Sequence, residues 1–106
     1  MEKVINLLDS EKQHLINMIS HCINEIEIGK AAIKDLQSPE FVERKKDCEC
    51  WSEKWTIQDY IELNVNSYNR AIEKHSKRLA EMRDYLSQIE RALKILKSGH
   101  DLSAKE

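Results

Sequence analysis

Apolar residues recur at alternating steps of three and four along two long stretches of this chain, and a chain so patterned folds as helices. Over about 3–36, Ile5, Leu8, Leu15, Ile19, Cys22, Ile26, Ile33 and Leu36 occupy the two columns of a heptad repeat, broken only at Lys12 and Gly29. A second series, Ile61, Val65, Tyr68, Ile72, His75, Leu79, Met82, Leu86, Ile89, Leu93 and Leu96, keeps the spacing without a gap. Such columns gather on one helix face, where they bury against a neighbouring helix. Val4, Ile16, Met18, Ile23 and Ala32 widen the first stripe, and Ala71, Tyr85 and Ala92 widen the second. A wide stripe faces more than one neighbour.

Turn-forming residues are too scarce for the alternatives. Glycine occurs twice and proline once in 106 residues, while 34% of the chain is charged. A sandwich or barrel needs many tight turns, and a phosphate cradle needs a glycine-rich loop. The predicted fold is therefore all-α, a coiled-coil-like helical bundle forming one domain over 1–99.

Three helices follow from the start and stop signals. Gln37-Ser38-Pro39 ends the first helix, because the residue before a proline disfavours helical geometry. Ser38 can then cap a short helix over 39–54 with Pro39 at its first position. Its apolar side would be Phe41, Val42, Cys48, Trp51 and Trp55. Thr56 and Asp59 have capping-box spacing, flanked by Trp55 and Tyr60 at hydrophobic-staple positions, and start a long helix over 56–98. Gly99 suits a left-handed helix stop, which leaves 100–106 as a flexible tail.

Length constrains assembly. At about 1.5 Å per residue the long helices would span roughly 50 and 60 Å, against a radius of gyration near 13 Å for a compact chain of this size. Two wide stripes of that length predict a homo-oligomer, most simply a dimer, with Ile72, His75, Leu79, Met82, Leu86, Ile89 and Leu93 as its seam. The periodic stretches 5–36 and 61–96 match in length, which favours an antiparallel arrangement of the long helices.

The net charge of −2 gives the molecule as a whole no obvious polyanion-binding character. No apolar run approaches the length of a membrane span, and no signal-peptide pattern opens the sequence. Three cysteines in no disulfide-like framework point to a reducing, cytoplasmic setting.

Candidate sites are few. Phe41, Trp51 and Trp55 lie in the least regular segment, and tryptophan is enriched in binding hot spots, so these three are the candidate protein-binding residues. Arg70, Lys74, Lys77, Arg78, Arg91 and Lys94 form a basic face that would serve nucleic-acid binding through phosphate contacts. Acidic residues interrupt that face, and no recognition motif accompanies it. Glu11-x-x-His14 has the spacing of di-iron bundles, but the facing columns lack the required glutamates. Cys48-x-Cys50 with His21-Cys22 has unusual spacing for zinc. His75, the titratable residue within the second stripe, would fix register or make assembly acid-sensitive. No nucleophile elbow or comparable catalytic motif is present. The sequence therefore predicts a non-enzymatic protein without a cofactor that binds another protein. Nucleic-acid binding through the basic face is the first alternative, and a metal-binding bundle is the second.

Overall fold

The computed structural model describes the backbone of residues 1–105 and the side chains of residues 1–99. Among the described residues there are three helices and no strand: α1 (Glu2–Leu36), α2 (Pro39–Lys45) and α3 (Ile57–Lys105). None of these helices is long and apolar enough to cross a membrane.

The two heptad stripes face each other within one chain. All eight residues of the α1 series are buried or half-buried, and so are all of the α3 series except Tyr68. The chain divides into two compact units. One joins residues 1–23 of α1 to α3 from Lys77 onward, and the other is Asn24–Ser76. Each unit thus pairs opposite ends of the long helices, so α1 and α3 run antiparallel.

In the first unit Leu15, Cys22, Met82, Ile89 and Leu93 are buried, and Lys97 meets Asp9 at 3.7 Å. Of the residues expected to form a dimer seam, Met82, Ile89 and Leu93 are buried in the single chain, and Ile72, His75, Leu79 and Leu86 are half-buried. Two stripes of matched length and opposite direction pack against each other, as the equal lengths of the two periodic stretches favour. Of the flanking residues, Met18, Ala32 and Ala92 are half-buried, while Val4, Ile16, Ile23, Ala71 and Tyr85 stay exposed.

In the second unit Ile26, Leu36, Phe41 and Ile61 are buried, and Ile57, Tyr60 and Val65 pack around the Leu36–Phe41–Ile61 cluster. Gly29 is buried as well. The gap it makes in the heptad series is the place where Ile72 comes closest, so the apparent interruption is part of the packing.

Two predicted boundaries move. α2 stops at Lys45 rather than at 54. Of its five expected apolar positions only Phe41 is buried, while Val42, Cys48 and Trp55 are exposed and Trp51 is half-buried. The charged run from Glu43 to Asp47 offers no buried face that would repay the ordering of further helical turns. At the other end, α3 passes through Gly99, and no described glycine has a positive φ. Glycine in a helix costs about 1 kcal/mol relative to alanine but does not forbid it. Of the predicted tail, the backbone is helical as far as Lys105, whereas Glu106 and the side chains of 100–106 lie outside the described residues.

Candidate functional site

Ser38 sets the geometry of the segment between the long helices. Its extended backbone (φ −82°, ψ 148°) breaks α1 from α2. Its hydroxyl donates to the Asp35 carbonyl at 2.6 Å and accepts from the Phe41 amide at 3.3 Å. One short side chain thus serves a carbonyl at the end of α1 and an amide at the start of α2. With Pro39 fixing the first turn, Phe41 points inward onto Leu36 and Ile61. Arg44, in the last turn of α2, reaches back to both carboxylate oxygens of Asp35 at 3.1 Å and lies 5.8 Å from the Phe41 ring centroid.

Three aromatic rings hold the connecting segment. Tyr60 stacks on Phe41, with centroids 6.0 Å apart and planes within 7°, and meets Trp51 edge-on at 5.6 Å and 66°. The Trp51 indole N–H donates to the Lys45 carbonyl at 2.7 Å, beside the Cys48 amide, which donates to the same carbonyl at 3.1 Å. Tyr60 is half-buried at the position expected of a staple partner for Trp55. Its aromatic contacts among the described residues are Phe41 and Trp51.

A tight turn then presents Trp55. The Ser52 amide donates to the Trp55 carbonyl at 2.8 Å, and the Trp55 amide donates to the Ser52 hydroxyl at 3.1 Å. The capping box follows as expected. The Thr56 amide donates to Asp59 Oδ2 at 2.9 Å, and the Asp59 amide donates to Thr56 Oγ1 at 3.1 Å. The Thr56 amide, with its hydroxyl adding to the effect, holds the Asp59 carboxyl below the usual carboxylate range.

The three candidate binding residues therefore part company. Phe41, at 6% exposure, belongs to the core, which corrects its assignment to a contact surface. Trp51 has given its polar atom to the Lys45 carbonyl and its ring edge to Tyr60. Trp55 alone of the three is open, at 38%. It borders an open depression of about 370 Å³ with Lys54, Asp59, Glu62, Leu63 and Asn66. Leu63 is 55% exposed, off the heptad columns. Glu62 and Asn66 also border a second depression of about 340 Å³, whose apolar rim includes Val42 and Val65. Sequence reasoning missed Leu63; its one signal was a leucine off the stripe within two turns of the capping box.

The basic residues Arg70, Lys74, Lys77, Arg78, Arg91 and Lys94 are all exposed on α3. His75, Ile72, Leu79 and Leu86 are half-buried on its packed side. Cys22 is buried, whereas Cys48 and Cys50 are exposed. Among the described residues no group of three or more His, Cys, Asp or Glu side chains is placed to hold a metal ion. No family model, curated protein or solved structure matches this chain.

Proposed function

We propose that this is a small, non-enzymatic helical protein that acts by binding another protein, through the face formed by Trp55 and Leu63. The observation that supports the reading is their shared depression: two large apolar side chains, over a third and over a half exposed, border one hollow beside two carboxylates. Exposed apolar residues rimmed by polar ones mark interaction surfaces, and tryptophan is prominent among binding hot spots. Asp59 and Glu62 give the hollow an acidic rim, with Lys54 its one basic member. A complementary partner is a protein segment carrying an apolar anchor beside lysine or arginine. An adaptor, an assembly chaperone or an inhibitor would all use such a face, and a cytoplasmic setting belongs to the same proposal.

Selection of peptides from a displayed library on the purified protein tests this. The expected enrichment is for an apolar residue flanked by basic ones, with binding lost in Trp55→Ala and Leu63→Asp and weakened in Glu62→Gln. Enrichment that ignores these substitutions, or none at all, overturns the reading. A homodimer is the second reading, favoured by the exposure of Ile16, Ile23 and Tyr85 beside the closed stripes. Sedimentation equilibrium tests it, and a monomer at micromolar concentration overturns it.

A further inference from the structure

Among the described residues of α3, the most exposed large apolar side chains are Ile95 at 71% and Leu63 at 55%. Steps of four and three lead from Leu63 to Ile95 through Lys74, Lys77, Glu81 and Asp84, so these six residues share one side of the helix. All six are exposed. The row reads apolar, basic, acidic, apolar. A row of that kind is complementary to its own reverse.

We propose that this side of α3 pairs antiparallel with the same side of a second copy, each Ile95 entering the other's hollow beside Trp55 and Leu63. The proposal rests on the reading of that hollow as a binding face and adds the chain itself as an occupant, in competition with the other protein. The hollow calls for an apolar anchor beside lysine or arginine, because Asp59 and Glu62 stand on its rim. Ile95 is such an anchor. Lys94 precedes it, Arg91 lies one turn back, and both are exposed.

Register follows from that anchor. With Leu63 opposite Ile95 of the second copy, the two-fold axis falls level with Leu79. Lys74 then faces Asp84, and Lys77 faces Glu81, each pair occurring twice. The remaining positions of the row set Arg70 against Gln88 and Ser67 against Arg91, so no like charges meet. Ion pairs at exposed positions are individually weak and are screened by salt. Apolar burial is confined to the two ends. The contact therefore belongs to the weak class that buries less than about 1,200 Å², as a face that must also yield to another protein requires.

Sedimentation equilibrium of the full chain from about 1 to about 100 µM, at low and at high salt, tests the proposal. The wild type should dimerise, about fivefold more weakly at high salt. Ile95→Asp should weaken the dimer about tenfold or more. Lys74→Glu with Lys77→Glu, and separately Glu81→Lys with Asp84→Lys, should each weaken it about tenfold. Mixing these two variants should restore the wild-type constant, since every reversed charge then meets its opposite. Peptide binding separates the two readings: Ile95→Asp should keep the hollow's affinity for selected peptides, and Leu63→Asp should lose both activities. A wild type that stays monomeric while still binding peptides overturns the proposal and leaves the reading of the hollow intact. A dimer that is indifferent to Ile95→Asp, lost in Ile16→Asp, or not rescued by mixing overturns it as well.

Discussion

Gly29 holds open the space that Ile72 fills. A Cβ built at position 29 would stand 3.0 Å from Ile72 Cγ1 and 3.2 Å from its Cδ1, closer than side chains ordinarily approach. The two residues lie within one compact unit, at a point where a methyl group added to α1 would crowd the Ile72 side chain of α3. Two effects oppose each other when that methyl is added. Alanine gains about 1 kcal/mol over glycine in a helix interior, while crowding a packed contact costs about 1–3 kcal/mol.

Gly29→Ala should therefore leave stability unchanged or lower it by up to about 2 kcal/mol. In an Ile72→Ala background the obstruction is gone, and the same substitution should raise stability by about 1 kcal/mol. Urea denaturation of the four proteins of this cycle measures the coupling. Additive effects would show that Ile72 does not sense position 29.

Gly29 also shows what the sequence made legible and what it concealed. The columns were readable because burial on one helix face imposes a period, and residues from Ile5 to Leu36 and from Ile61 to Leu96 obey it. Which column meets which was harder, since a stripe states that it must be covered but not by what. Equal lengths and opposite direction let the second stripe cover the first. A gap such as Gly29 reads as a flaw until the opposing side chain is known.

Trp51 and Trp55, four residues apart, should separate in a stability measurement. Trp51→Phe removes the donor to the Lys45 carbonyl, 2.7 Å away, and should cost about 1 kcal/mol. Trp51→Ala removes the edge contact with Tyr60 as well and should cost more, about 2 kcal/mol. Trp55→Ala should cost about 1 kcal/mol or less, because much of the ring already meets solvent. Chemical denaturation gives the order directly; a larger loss at Trp55 would return that residue to the core.

The segment holding these tryptophans was the least legible part of the chain. Its aromatic content announced importance, but core and contact residues are chemically alike there. What separates them is the length of α2. Once the helix ends at Lys45, Phe41 is left inside, Trp51 covers the helix end, and Trp55 is turned outward. The charge density of Glu43–Asp47 was the available signal for that early stop, and it was outweighed by the apolar spacing beyond it.

Thr56 heads the second long helix, and its side chain should be worth about 1 kcal/mol as a cap. Thr56→Ala removes the acceptor for the Asp59 amide, and Thr56→Ser should recover most of the loss. Thermal unfolding of the pair checks this. Equal destabilisation by both would mean that the methyl group, rather than the hydroxyl, matters.

Asp59 links the same cap to pH. Its carboxylate accepts the Thr56 amide, so its folded-state pKa lies below the unfolded value. For a depressed carboxyl, the contribution to stability is fully present above the unfolded pKa and is lost as pH falls through the folded one. Wild-type stability should accordingly decline on the acid side of the usual carboxylate range, and Asp59→Asn should decline less steeply there. Thr56→Ala should raise the Asp59 pKa only in part, since the Thr56 amide, the larger cause, remains. Carboxyl chemical shifts followed through an acid titration measure this directly. Complete return of Asp59 to the ordinary range in Thr56→Ala would show that the hydroxyl, not the amide, sets its acidity.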